Sequence, residues 1–181
     1  MMSLKKAVVL AAVLPFLAAC GDESDMLKAI NAQLSESGGS GYCASLFRPN
    51  SMAGVKWPIV VDVDEASKDP VLVGMISDGL LKDVGAGTLI LNSFTEVPGR
   101  KLDITEKGQE QISWEGTVCG GSIKATKIIE YTKGDESRVT YQWEYAHLPK
   151  WAEAHIKRHS RPTTGQGSTI LVKTNKGWSE K

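Results

Sequence analysis

Residues 73–83 read VGMISDGLLKD, and the residues around them set an N-terminal half. Asp69-Pro70 opens the element: an Asp oxygen accepts backbone N–H groups at a helix start, and Pro is tolerated in the first turn. Leu72, Met75 and Ile76 then fall on one face at helical spacing. Gly79 suits the left-handed residue that ends a helix, and Leu80 and Leu81 lead out of it into a core.

Working outward, TLILNSF (88–94) alternates like a strand, Pro98-Gly99 predicts a turn, and KLDI (101–104) predicts the returning strand. Thr105 predicts the cap of a short helix over EKGQEQISW (106–114). Helix, Gly79-Leu80-Leu81, hairpin, Ile104-Thr105-x-x-Gly108, helix: this order over residues 69–114 resembles a winged helix. The motifs are core and turn residues, so they speak for local fold rather than activity. DNA binding would need clustered cations to neutralise phosphates. Here 21 Lys and Arg balance 21 Asp and Glu, and the densest basic run, Lys157-Arg158-His159-Ser160-Arg161, is short. No nucleic acid partner is expected.

Upstream, SDMLKAINAQLS (24–35) places Met26, Leu27, Ile30 and Leu34 on one helical stripe, with Ser24 as the expected N-cap. Gly38, Gly39 and Gly41 predict a flexible joint after it. Ile59 to Val63 favours a strand that Pro58 confines to an edge or a start. Downstream, SIKATKIIEY (122–131) and SRVTYQWEY (137–145) predict a hairpin joined by Lys133-Gly134-Asp135. In the first strand Ile123, Ala125 and either Lys127 or Ile129 share a face; in the second Val139, Tyr141, Trp143 and Tyr145 do. LPKWAEAHIKRH (148–159) reads as a helix with Pro149 at its start and Trp151, Ala152, His155 and Ile156 inward. RPTTGQGS (161–168) reads as a loop, and TILVKTNKGW (169–178) as a strand plus turn. With 41% hydrophobic and 23% charged residues the chain can fill a core. The expectation is an α+β fold: a winged-helix-like N-terminal half packed with a β-hairpin/helix/strand C-terminal half (119–181), in one domain over 42–181.

The leader bears on location. Lys5 and Lys6 precede an apolar run from Ala7 to Ala19, broken only by Pro15 and short for a permanent span. It ends Leu17-Ala18-Ala19-Cys20, which resembles the bacterial lipobox. The resemblance implies that residues 1–19 are a signal peptide, that Cys20 is acylated, and that residues 20–41 hold the anchor, a short helix and a Gly-rich tether. The alternative is an ordinary cleaved leader with a chance cysteine at its edge. Losing Lys5 and Lys6 with the leader takes the net charge from 0 to −2. Gly21, where Asp would signal inner-membrane retention, resembles the outer-membrane pattern. The bilayer, reached through acylated Cys20, is then one partner, and the body faces the periplasm from the outer rather than the inner membrane. The set Cys119-Gly120, Leu148-Pro149-x-Trp151-Ala152 and Leu171-Val172-x-Thr174-Asn175-x-Gly177-Trp178 resembles small predicted lipoproteins of Gram-negative bacteria. That likeness supports location and fold and transfers no catalytic residue.

With Cys20 used by the anchor, Cys43 and Cys119 remain, and in an oxidising compartment a disulfide is the simplest use of them. It would close a loop worth about 4 kcal/mol in chain entropy. A metal site and two buried free thiols are the alternatives; neither cysteine has the C-x-x-C spacing that would support zinc or redox chemistry.

Chemistry-bearing motifs are sparse. His155 and His159 lie four apart on a helix, the spacing of paired zinc ligands, but the glutamate of H-E-x-x-H is missing and Lys157 and Arg158 oppose a cation. His147 or Glu153 would have to supply a third ligand; a half-exposed helix face is the plainer reading. Asp62, Asp64, Glu65 and Asp69 lack the glycine of a calcium loop and read as a solvated strand end feeding a helix start. No G-x-S-x-G, phosphate loop or dinucleotide fingerprint occurs, and no cofactor is expected. Among five tryptophans, Trp114, Trp143 and Trp151 are expected in the core, while Trp57 and Trp178 are candidates for an interaction surface. The functional expectation is an anchored, periplasm-facing lipoprotein that binds an envelope protein non-covalently. The alternatives are an envelope ligand-binding protein or enzyme, and an immunity or inhibitor lipoprotein.

Overall fold

The computed structural model describes residues 16–36, 40–48, 54–92 and 95–181. Most of the leader, residues 1–15, lies outside them, and Cys20 is described only as helix backbone. The chain is a mixed α+β fold built on two antiparallel sheets.

The smaller sheet has the order β2-β4-β3, from β2 (Ile59–Asp62), β3 (Leu81–Asn92) and β4 (Thr95–Ile104). Helices α2 (Val63–Lys68) and α3 (Pro70–Ser77) lie between its first two strands in sequence, and α4 (Glu106–Gln111) follows the third. The caps are those the residues imply. Asp69 accepts from Val71 N–H and Leu72 N–H, Thr105 Oγ1 accepts from Gly108 N–H, and Gly79 takes φ 75°. Leu80 and Leu81 are buried immediately after. The helix–hairpin–short helix order expected over residues 69–114 is therefore present. Two details differ. Pro98 and Gly99 lie inside β4, opposite Thr88 and Gly87, and the strands join through residues 93–94, outside the described residues. Gly99 is small for packing rather than turning: a Cβ there would stand 2.7 Å from Val60 Cγ1 and 2.8 Å from the Val61 carbonyl. Helix α4 stops at Gln111, and Ile112 bridges Val118.

The larger sheet has the order β1-β5-β6-β7-β8, from β1 (Ser40–Ser45), β5 (Thr117–Tyr131), β6 (Glu136–Ala146), β7 (Thr164–Thr174) and β8 (Gly177–Glu180). The β5–β6 hairpin forms as expected, but register shifts at Ala125/Lys127 and Ile128/Glu130 change its inner face. Ala125 and Ile128 are buried while Ile129 is exposed, because a bulge moves the alternation by one residue. Residues 164–168, expected as loop, are paired strand opposite residues 140–144. Their glycines lie under rings: a Cβ on Gly165 would meet Trp143 at 2.5 Å, and one on Gly167 would meet Tyr141 at 2.6 Å. The glycines read as loop punctuation are the places where aromatic side chains lie across the backbone.

Two cores result. One contains Tyr42, Phe47, Met75, Leu80, Leu81, Leu102, Val118, Trp151 and Ile156. It is sealed by α5 (Lys150–Arg158) crossing α3, so a C-terminal helix completes the N-terminal half. The crossing is tight because Gly74 has no Cβ; one would lie 2.6 Å from the Trp151 backbone nitrogen. Trp151 is fully buried, and truncating so large a ring costs about 3–5 kcal/mol. Its Nε1–H has no hydrogen-bond partner among the described residues, a cost accepted in exchange for packing.

The second core holds Ala125, Ile128, Val139 and Leu171 under α1 (Phe16–Glu36), whose Met26 and Ile30 are buried. The helix runs through Ser24, which therefore does not cap it. Asn31 fixes the helix to the strand: its Nδ2 donates to the Ala125 carbonyl at 3.0 Å and its Oδ1 accepts from Ala125 N–H at 2.9 Å. One side chain thus satisfies both backbone groups of Ala125, beyond the point where β1 pairing with β5 begins among the described residues. Of the Gly-rich joint, Ser40 and Gly41 are described and open β1; residues 37–39 lie outside the described residues.

Candidate functional site

Cys43 and Cys119 face each other across β1 and β5, with sulfurs at 2.12 Å. The pair ties the first strand of the large sheet to its second, beside the first core.

The tryptophans divide differently from expectation. Trp151 is core, but Trp114 is 64% exposed, because α4 ends three residues before it and the chain turns at Trp114–Gly116 to enter β5. Trp143 is half-buried over Gly165. The two candidates for an interaction surface are also half-buried. Trp57 packs edge-on against Phe47 at 5.1 Å, and Trp178 packs on the second core with Lys173 Nζ 5.5 Å from its ring.

Exposed apolar side chains lie elsewhere. β2 pairs with β4 only at residues 99–102, so among the described residues the strands β3 and β4 beyond Gly99 pair only with each other. At the end of this two-stranded arm Ile90 is 67% and Leu91 60% exposed. The β3–β4 ladder steps from Ile90–Glu96 to Asn92–Thr95, so Leu91 is the extra residue of a bulge. The free edge of β3 carries no charged residue from Val84 to Asn92. Such an edge lacks the charges and prolines that normally discourage added strands. The signal was in the sequence: an uncharged apolar run beside a turn is legible, but its projection beyond the third strand is not.

The second cluster joins residues far apart in sequence. His155 Nδ1 lies 2.7 Å from the Tyr42 hydroxyl. Tyr42 meets Tyr145 edge-on at 5.6 Å, and the rings of His155 and His159 are 4.3 Å apart. Helix α5 ends in a reverse turn: Ser160 N–H donates to the Lys157 carbonyl and Arg161 N–H to the Ile156 carbonyl, with Ser160 at φ 48°. The charge of Arg161, which follows that turn, acts on both His155 and Tyr42. Burial, with the charges of His159, Arg158 and Arg161, lowers the His155 pKa, opposed by Asp69. Burial raises the Tyr42 pKa, which Arg161 opposes. Asp69 is engaged by Arg158. Its burial works against ionisation, but the Arg158 hydrogen bond, the Val71 and Leu72 N–H groups and the Arg158 charge together hold its carboxyl low.

His155 and His159 are thus adjacent, as four-residue spacing requires, but they gain no third ligand. No group of three His, Cys, Asp or Glu side chains suited to a metal occurs among the described residues. Asp62, Asp64 and Asp69 cap α2, pair with Lys68 and cap α3 respectively. Sequence reasoning missed Tyr42 and Arg161; a buried tyrosine from the first strand carries no local mark of its partner. Comparison with known proteins adds no name to this geometry: no family model, curated protein or solved structure matches the chain.

Proposed function

We propose that this is a lipid-anchored protein of the bacterial envelope that works by binding another envelope protein non-covalently. Leu17-Ala18-Ala19-Cys20 after a basic start and an apolar run supports the anchor. The observation that carries the interaction is the β3–β4 arm with Ile90 and Leu91 exposed at its end. A two-stranded ribbon gains little stability from such side chains in water. Their burial against a partner would return about 1.5–3 kcal/mol each. The free β3 edge offers backbone groups for the same contact. The arm, rather than Trp57 or Trp178, is the surface this reading assigns to the partner.

The test is in-cell photo-cross-linking from position 90, with labelled palmitate to follow the anchor. Palmitate should be incorporated into the native chain and lost in Cys20→Ala. One envelope protein should be captured by the anchored form and released by Ile90→Asp with Leu91→Asp. Capture that survives both arm substitutions would remove the arm from the reading. Unlabelled native protein would remove the anchor.

A further inference from the structure

The turn that carries Trp114 is fixed by its own bonds and by two other segments. Within it, Gly116 N–H donates to the Ser113 carbonyl at 2.9 Å and Thr117 N–H donates to Ser113 Oγ at 3.1 Å. The Gly116 carbonyl accepts from Leu46 N–H and Phe47 N–H, and the Trp114 carbonyl accepts from Val55 N–H. Gly54, at φ 88°, lies against one edge of the indole, where a Cβ would stand 3.4 Å from Trp114 Cε3. The side chain is nevertheless 64% exposed, and no other ring or cation lies over it among the described residues. An aromatic group already held in place loses little freedom when a ligand covers it.

The indole borders a groove of about 530 Å³ that is polar on its other sides. Gln109 and Gln111, at the end of α4, line it with amides, and Ser113 and Thr117 line it with hydroxyls. Both glutamines are exposed, and neither amide has a hydrogen-bond partner among the described residues. Glu110 is the one charged side chain lining the groove among the described residues, so the groove does not favour an anion. Ile112 is buried, which leaves Trp114 as the large apolar surface on offer.

These groups separate the classes of ligand. A protein anchor sits in a well-packed pocket emptied of water. One indole among free amides and hydroxyls suits a sugar instead. The C–H groups on the flat face of a pyranose lie on the negative face of the ring. Glutamine amides both donate to and accept from its hydroxyls. We propose that Trp114, with Gln109, Gln111, Ser113 and Thr117, forms a binding site for a neutral glycan. The site is a different place from the β3–β4 arm and depends neither on a protein partner there nor on the anchor.

The experiment is an NMR titration of the full chain in detergent micelles, following the tryptophan indole N–H signals. The probes are chitotriose, which carries acetamido groups, and cellotriose, which carries only hydroxyls, with glycerol as the control. The Trp114 signal, identified by its absence in Trp114→Phe, should shift saturably with at least one trisaccharide. A response to chitotriose alone assigns the site to an acetamido glycan; a response to cellotriose assigns it to the hydroxyls of the ring. Trp114→Ala should weaken binding about tenfold or more, read by calorimetry, while Trp114→Phe retains part of it. Gln109→Ala with Gln111→Ala should weaken it about fivefold. Because these side chains are exposed, all three variants should keep the native melting temperature. No saturable shift beyond the glycerol control, or undiminished binding by Trp114→Ala, would overturn the proposal. Photo-cross-linking from position 114 that captures a protein, with neither trisaccharide binding, would give the surface to that protein and overturn it as well.

Discussion

Asn31→Ala tests how the N-terminal helix is held. The native side chain makes two hydrogen bonds to Ala125, a residue with 1% of its surface exposed. Each such bond is worth about 1 kcal/mol net, and each buried backbone group left without a partner costs about 1–3 kcal/mol. Water reaching the freed edge would recover part of that loss. Working the other way, Ala is a better helix former than Asn by about 0.6 kcal/mol. Strand satisfaction outweighs helix propensity, and the variant should lose about 2–3 kcal/mol. Urea unfolding followed by tryptophan fluorescence measures this, with hydrogen exchange at the Ala125 amide as the local readout. A variant as stable as the native chain, with the Ala125 amide still protected, would show that Asn31 does not hold this edge. The docking of α1 would then rest on the apolar packing of Met26 and Ile30, with Leu27, Ala29 and Leu34 beside them.

Three further outcomes follow from the packing and the charges. Gly74→Ala places a methyl 2.6 Å from the Trp151 backbone nitrogen, so α3 and α5 must separate; thermal melting should show a loss of about 1–3 kcal/mol. Ser160→Gly relieves a left-handed non-glycine residue at φ 48° and should stabilise by about 1 kcal/mol, whereas Ser160→Val should destabilise; paired urea melts compare them. Acid should act in two windows. His155 has a lowered pKa in the fold, so the unfolded chain binds the proton first, and stability falls as pH drops through about 6.5 towards the folded pKa. Asp69 is also lowered, so its contribution is present above about pH 4 and is lost as pH falls through its folded pKa. Stability measured against pH should lose the upper step in His155→Gln and the lower one in Asp69→Asn.

The elements legible in the sequence are those whose cause is local. Asp69, Thr105 and Gly79 act within a few residues of themselves, so the ends of α3 and α4 follow from reading them in order. The β5–β6 hairpin and the buried face of α5 follow from short periodicities. The mixed α+β class follows from their succession.

Tertiary structure decided what depends on an approach from elsewhere in the chain. A glycine alone does not reveal whether it turns the backbone or admits a neighbour; Gly99, Gly165 and Gly167 admit Val60, Trp143 and Tyr141. Periodicity cannot locate a bulge, and one extra residue at Ala125/Lys127 exchanges Ile129 for Ile128 in the core. Tyr42 and His155 are 113 residues apart, and Asn31 and Ala125 are 94 apart. Such pairings are set by how sheets and helices close around two cores, because side-chain hydrogen bonding is short-ranged in space and indifferent to distance along the chain.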